Sequence, residues 1–234
     1  MKAQILLTVP GAKHLIAKAL IKYIDFSKRI YIAYGTTNNY LLYHLGISTD
    51  KLYAAGCNVK GKFNVTKERD KPVVLQNGKL LDIKDFNITS SDIFIKGANA
   101  LWYENTQKQA AVAAADPNGG TYGNFYIKAV CRGSEIIIPV GHEKLIPYFV
   151  ETDQNVDFTT GNKIAMLKIF KGNIFTEIEA FRILFNLKAK VILAGGLEDC
   201  NGAVGFLVEG ENVKDAVEFA KKYNNINILK HCID

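Results

Sequence analysis

The sequence lacks the features of a membrane-spanning segment and of a secretion signal. No apolar run approaches the roughly 20 residues that a membrane-spanning helix needs. Residues 1–13 contain only a short apolar stretch, and no small-residue cleavage pattern follows it. These absences predict a cytoplasmic protein with no membrane partner.

Paired cysteines are also missing. The four cysteines lie far apart, with no CxxC pair and no histidine nearby at ligand spacing, at Cys57, Cys131, Cys200 and Cys232. The pattern favours reduced, mostly buried thiols over disulfides or a zinc site. We therefore predict no metal site, and the sequence indicates no cofactor.

A basic stripe of the kind that binds nucleic acid is absent as well. The formal net charge is +6 and the sequence pI is about 9.0. Lysine and arginine are nevertheless scattered, and acidic residues accompany them throughout the chain. This distribution predicts no nucleic-acid partner. A mildly positive surface would still attract small anions.

What the chain does contain is enough apolar material for a full core, since 48% of its 234 residues are hydrophobic. Helical and strand patterns alternate along its first part. Such alternation predicts a largely parallel sheet covered by helices. The predicted helices span residues 12–25, 36–45 and 122–132, and the predicted strands span 29–34, 92–95 and 135–140. Asn77-Gly78 predicts a hairpin turn. For residues 104–115 the pattern leaves the secondary structure undecided.

After about residue 150 the pattern changes. Thr176 and Glu179 stand in capping-box register at the start of a helix. The elements predicted around it follow the order β-α-β-β-α-β of a ferredoxin-like unit, with strands at 163–169, 190–194, 203–208 and 226–229 and a second helix at 213–223. We predict an α/β protein in which residues 1–150 form a Rossmann-like, ligand-binding domain and residues 151–234 a ferredoxin-like domain.

The turn Gly35-Thr36-Thr37-Asn38 is the most informative local feature. It follows a predicted strand and opens a predicted helix. Glycine permits positive φ and close approach of the backbone, and the helix N-terminus favours an anion. The alternative is an ordinary helix cap, since serine, threonine and asparagine cap helices widely.

Several short segments, taken in order, resemble the superfamily of ribose phosphate isomerases, DeoR-type sugar-phosphate sensor domains and CoA transferases. The turn at Gly35 resembles the phosphate loop of the sensors and isomerases. Lys96-Gly97-Ala98-Asn99 is similar to the GAN segment of the sensors and the DGAD segment of the isomerases. Residues 118–123 stand in the place of the isomerases' Gly-rich loop, and Gly141-His142-Glu143-Lys144 is similar to the D-x-S-K segment that ends the following strand. The resemblance covers most of residues 10–150 and implies an anionic small-molecule ligand.

The sequence differs from these families at the positions of their catalytic residues. An aldose–ketose isomerase needs a carboxylate base, but Lys96 and Asn99 replace the aspartates of DGAD. The residues ahead of the first strand are too few for the helix-turn-helix of a repressor. A CoA transferase needs a glutamate nucleophile, for which Glu104 is the nearby candidate and a surface turn residue the alternative. Lys96 is a second catalytic candidate, with an ordinary surface lysine as its alternative.

Ligands of open α/β sheets bind beyond the carboxyl ends of the strands. The residues expected to gather there are Gly35, Thr36, Thr37, Asn38, Lys96, Gly97, Asn99, Gly119, Gly120, Thr121 and His142. Three functions follow from this expectation. The chain binds a sugar phosphate, nucleotide or CoA-like anion, with or without catalysis; or it is an isomerase or acyl/CoA transferase; or it is a non-catalytic assembly protein that forms a homo-oligomer.

Overall fold

The computed structural model describes residues 1–47, 57–59, 61–64, 71–82 and 85–229. The strands are β1 (Lys2–Leu7), β2 (Arg29–Ile32), β3 (Cys57–Val59), β4 (Lys62–Asn64), β5 (Val73–Gln76), β6 (Lys79–Leu81), β7 (Ile93–Ile95), β8 (Ala100–Glu104), β9 (Gln107–Ala114), β10 (Glu135–Pro139), β11 (Ala165–Ile169), β12 (Asn173–Phe175), β13 (Lys188–Ala194) and β14 (Val204–Glu209). The helices are α1 (Val9–Tyr23), α2 (Thr36–His44), α3 (Ile127–Arg132), α4 (Glu177–Phe185) and α5 (Val213–Tyr223), and a π-helical turn at Tyr122–Tyr126 leads into α3.

The largest sheet has the strand order β12-β10-β7-β2-β5-β6. Strands β2, β7, β10 and β12 run parallel to one another, and β5 and β6 are antiparallel additions at one side. The central strands are buried apolar runs, such as Ile93–Ile95, because both faces of this sheet are covered. The prediction of a mixed α/β protein is confirmed.

The two faces of this sheet support two separate apolar cores. On one face, Ile30, Ile95 and Phe175 pack in a cluster with residues of α1, α2 and α4. On the opposite face, Phe94 and Ile138 pack in a cluster with residues of α3, β8 and β9. Because helices and strands cover both faces, ligands can reach the parallel strands only at their ends.

Strands from the two ends of the chain form a second sheet of order β1-β14-β13. The predicted ferredoxin-like unit is not what forms among the described residues. Its first predicted strand is β11, which pairs with β9, and residues 226–229 do not form the strand predicted at its end. The N-terminal strand β1 takes the place beside β14, and α5 packs against β1.

Three strand pairings, β1 with β14, β9 with β11 and β10 with β12, join residues on opposite sides of position 150. The domain boundary at residue 150 therefore stays a prediction without support from strand pairing.

The undecided segment at 104–115 contains β9, the central strand of a third sheet of order β11-β9-β8. Its composition suits a helix, but Ala110, Ala111 and Val112 are fully buried between neighbouring strands. Small side chains fit there because the strand is covered on both faces, so tertiary packing overrides helix propensity.

Other local predictions have mixed outcomes. Asn77 and Gly78, with φ of 50° and 72°, form the predicted two-residue hairpin between β5 and β6. The capping box of Thr176 and Glu179 is present at the start of α4. Cys131 is free but exposed on α3 and Cys200 is half-buried, so the expectation of buried thiols is wrong for these two. Cys232 and the side chain of Cys57 lie outside the described residues.

Candidate functional site

Each of the four parallel strands is followed by a polar turn, and parallel strands bring these turns to one edge of the sheet. We call this the carboxyl edge and define it by the segments 35–38, 96–99, 141–144 and 176–177, which follow β2, β7, β10 and β12. Ligands of open α/β sheets bind at this kind of edge. The predicted candidates at Gly35–Asn38, Lys96–Asn99 and His142 all lie on it.

Helix α2 begins directly after Gly35 and has no side-chain cap. The first N–H groups of a helix have no partner within the helix, so they are available to an acceptor from outside. Gly35 itself has φ of 169°, which is extended backbone that any residue adopts, so this position does not use the positive φ that glycine permits. The surroundings of Gly35 are open, because a Cβ built on it meets nothing within 4 Å.

The first turn of α2 also keeps polar atoms that the fold does not satisfy. Thr37 and Asn38 are 2% and 0% exposed. The Asn38 amide nitrogen donates to Ala33 O at 2.6 Å and to Ile95 O at 3.4 Å, which joins the ends of β2 and β7. Among the described residues, Thr37 Oγ1, Asn38 Oδ1 and both amide atoms of Asn39 have no hydrogen-bond partner. Such groups are uncommon in native proteins, and each one requires an explanation.

The segment after β7 is held mainly by backbone bonds. The Lys96 N–H donates to Ile137 O at 3.1 Å, and the Asn99 N–H donates to Ala111 O at 2.8 Å. The Asn99 side-chain oxygen accepts from the Ala113 N–H at 3.0 Å. Asn99 therefore holds the segment between β7 and β8 against β9, which is a structural role. A Cβ on Gly97 would meet Pro139 O at 3.7 Å, an ordinary contact.

The predicted loop residues Gly119, Gly120 and Thr121 lead into the helix that ends at Arg132. Gly119 and Gly120 have φ of 76° and 54°, so glycine is favoured at both positions. The Tyr122 hydroxyl just beyond them donates to Lys168 O at 2.8 Å, which ties this segment to β11. The described structure shows no hydrogen bond between these three residues and the turn at Gly35.

A buried chain of hydrogen bonds lies at the ends of β10 and β12. The Glu177 carboxylate accepts from the His142 backbone N–H at 3.0 Å and lies 2.6 Å from His142 Nδ1. On the other side of the imidazole ring, Nε2 lies 2.9 Å from the Tyr103 hydroxyl. The side chains of His142 and Glu177 are 1% and 0% exposed, whereas Tyr103 is 44% exposed. The chain therefore leads from a buried carboxylate to a hydroxyl group near the surface.

The electrostatics of this chain follow from burial. Burial raises the pKa of Glu177 above its ordinary value, and the hydrogen bond from His142 offsets this only in part. Burial also raises the pKa of the Tyr103 phenol, with a further contribution from the charges of Glu179 and Glu177. Tyr103 is accordingly a protonated phenol at neutral pH, able to donate a proton.

A second carboxylate lies beside this chain. Both Glu143 oxygens are buried and have no hydrogen-bond partner in the part of the chain that the structure describes. A Cβ on Gly141 would overlap Glu143 Oε2 and lie 2.8 Å from Glu177 Oε1, so the two carboxylates flank the same glycine. Next to them, Lys144 Nζ donates to Ala98 O at 2.6 Å and ties the ends of β10 and β7 together.

The catalytic candidate Glu104 lies elsewhere on β8. It accepts from Trp102 Nε1 at 2.8 Å and pairs with Lys168 Nζ at 3.3 Å. The hydrogen bond from Trp102 and the bond from Lys168 lower the pKa of Glu104. Because side chains alternate along a strand, Glu104 projects to the opposite face of β8 from Tyr103.

Tyr103, Glu143 and Glu177 were not among the residues predicted from the sequence. His142 was, because it follows a strand. Glu177 follows β12 in the same way, but the pairing of Pro139 with Phe175 that brings the two together joins distant parts of the chain.

Among the described residues, no group of three or more histidine, cysteine, aspartate or glutamate side chains is arranged to hold a metal ion. Nor is any helix in the described part long and apolar enough to cross a bilayer. Comparison with models of known families and with curated proteins finds no match to this chain.

Proposed function

We propose that the chain binds a small anionic molecule, such as a sugar phosphate, a nucleotide or a CoA-like compound, at the first turn of α2. The observation that carries the proposal is the uncapped start of this helix beside the open space at Gly35. A helix N-terminus with free N–H groups favours negative charge. The buried, unpaired atoms of Thr37, Asn38 and Asn39 at the same turn are a second observation in its favour.

The fold also supports a ligand-binding site at the first turn of α2. Four parallel strands covered on both faces leave their carboxyl edge as the natural crevice, which is the arrangement expected of a Rossmann-like sheet. Membership of the ribose phosphate isomerase, DeoR-type sensor and CoA transferase superfamily is part of this proposal. The cytoplasmic location and self-association stay predictions.

An isomerase or transferase that uses Glu104 or Lys96 is the alternative function. Glu104 is bonded to Trp102 and Lys168 on the face of β8 away from His142. We therefore assign no catalytic role to Glu104, and the proposal rests on anion binding alone.

Thermal unfolding in the presence of a panel of sugar phosphates, nucleotides and CoA tests the proposal. A ligand at 100 times its Kd stabilises the folded state by about 2.7 kcal/mol, which raises Tm by roughly 5–10 °C for a chain of this size. Gly35→Ala is expected to fold normally, because its φ is extended and its surroundings are open. The new methyl group would occupy the space proposed for the anion. A tenfold loss of affinity would reduce the shift to about half.

Thr8→Val is the matched control. Thr8 also stands at the start of a helix, but its hydroxyl donates to Asn224 O at 2.6 Å and accepts from the Gly11 N–H at 3.2 Å. This control should lower Tm without ligand and leave the ligand-induced shift intact. If no anion in the panel raises Tm, or if Gly35→Ala responds like the wild type, the proposal is wrong.

A further inference from the structure

The hydrogen bonds around His142 define the direction in which a proton can move. Glu177 accepts from the His142 backbone N–H with both carboxylate oxygens, at 3.0 and 3.1 Å, so it acts as an acceptor in this network. We assign the proton between His142 and Glu177 to His142 Nδ1, which leaves Nε2 with a lone pair. The Tyr103 hydroxyl donates to that lone pair at 2.9 Å.

The resulting order is hydroxyl, imidazole, carboxylate. This is the connectivity by which a histidine removes a proton from a hydroxyl group while a carboxylate stabilises the imidazolium that forms. Here the hydroxyl belongs to a tyrosine. The outer group is 44% exposed and the two groups behind it are at most 1% exposed.

A purely structural role would not explain the free-energy cost of burying His142 and Glu177. Burying an ionisable pair is expensive, and apolar side chains of similar volume commonly stabilise a core as well or better. The second buried carboxylate, Glu143, adds to that cost, since it has no hydrogen-bond partner among the described residues and lies beside Gly141 with Glu177. Arrangements of this kind are typical of sites where proton transfer takes place.

We propose that Tyr103 is a general acid–base residue of this chain, and that His142 and Glu177 relay its proton. When substrate takes up a proton, the Tyr103 O–H bond breaks, a bond from the same proton to the substrate oxygen forms, and the phenolate regains a proton from Nε2 of His142, which begins this step as an imidazolium beside the Glu177 carboxylate. In the reverse direction, the phenol proton moves to His142 Nε2 and the substrate O–H proton moves to Tyr103. No oxidant or metal takes part.

The position of Tyr103 limits the class of substrate, in a statement that rests on the proposed function. His142 follows β10, and the anion-binding turn follows β2, with β7 between them. Two strand spacings amount to roughly 10 Å. The substrate would therefore be a small anion that also carries a hydroxyl or carbonyl oxygen, set apart from its charged group.

The relay can be tested without a known substrate, by reaction of the full chain with an arylsulfonyl fluoride. In this reaction a bond forms between the tyrosine oxygen and sulfur, the S–F bond breaks, fluoride leaves, and the phenol proton passes to His142 and then to solvent. Mass spectrometry of peptides reports each tyrosine separately. Tyr148 is the internal control, since it is 68% exposed and therefore more accessible than Tyr103.

We expect Tyr103 to react at least about tenfold faster than Tyr148, because general-base assistance commonly contributes more than this factor. His142→Gln and Glu177→Gln should remove that advantage and leave the Tyr148 rate unchanged, and Tyr103→Phe should remove the adduct. Equal or slower reaction of Tyr103 in the wild type overturns the proposal, even if neither relay variant folds. Fast labelling of Tyr103 with no anion binding in the thermal panel would leave the relay standing and refute the proposed function instead.

Discussion

The free energy of unfolding is expected to fall by about 3 kcal/mol as the pH is lowered from 6.5 to 4, through the buried histidine pair of α1 and α2. His14 Nδ1 lies 2.8 Å from His44 Nε2, and His14 Nε2 lies 3.0 Å from Ile226 O. Burial lowers the pKa of each imidazole from 6.5 to about 4, and the charge of Lys18 contributes in the same direction. The expected loss of about 3 kcal/mol is the contribution of fully buried His14 alone, because solvent screens the charge of half-buried His44.

The sign of this effect follows from the hydrogen bonds. His14 Nε2–H donates to the carbonyl of Ile226, so Nδ1 accepts from His44 Nε2–H. A proton on Nδ1 would set two N–H groups against each other. The unfolded chain takes up protons as the pH falls below 6.5, whereas the folded chain resists until about pH 4. Stability is therefore complete above pH 6.5 and is lost within this window.

Denaturant unfolding at several pH values measures this loss, and NMR titration of the imidazole signals reports the two pKa values directly. The double variant His14→Gln, His44→Gln should show a much flatter pH dependence between 6.5 and 4 than the wild type. An imidazole pKa near 6.5 for His14 in the folded protein would contradict the account.

Gly123→Ala is expected to destabilise the protein by about 3 kcal/mol, although alanine is the better helix former. Gly123 belongs to the π-helical turn that precedes α3. A Cβ at this position would overlap the carbonyl oxygen of Asn118. Since the obstacle is backbone and not the end of a flexible side chain, the turn must open to make room.

Chemical denaturation of Gly123→Ala beside Gly35→Ala measures this cost. Gly35→Ala makes the same chemical change at a position with open surroundings, and its free energy of unfolding should stay within about 0.5 kcal/mol of wild type. Wild-type stability in Gly123→Ala would show that the tight turn at residues 118–123 is not required.

Local patterns in the sequence predict much of the parallel sheet. The apolar runs at Ile30–Ile32 and Ile93–Ile95 are buried strands, and the polar turns behind them lie at one edge because parallel strands share a direction. The capping box at Thr176 and the hairpin at Asn77-Gly78 are equally local signals. Each depends on residues within a few positions of one another.

Long-range pairing explains what the sequence did not predict. Strand β1 pairs with β14 across almost the whole chain, and this replaces the expected ferredoxin-like sheet. The alanine-rich strand β9 lies in a sheet because of its neighbours β8 and β11, not because of its own propensity. Tyr103 and Glu177 also contact His142 from separate elements of the fold, so no local sequence motif predicts their chain of hydrogen bonds.

The first N–H groups of α2 are the proposed binding site for a negative charge. The most direct test is a titration of nitrogen-15-labelled protein with inorganic phosphate and then with a sugar phosphate, followed through the backbone amide signals. We expect saturable shifts at the amides of Thr36, Thr37 and Asn38 that Gly35→Ala abolishes. Shifts that spread over surface lysines and leave these three amides unmoved would contradict the proposal.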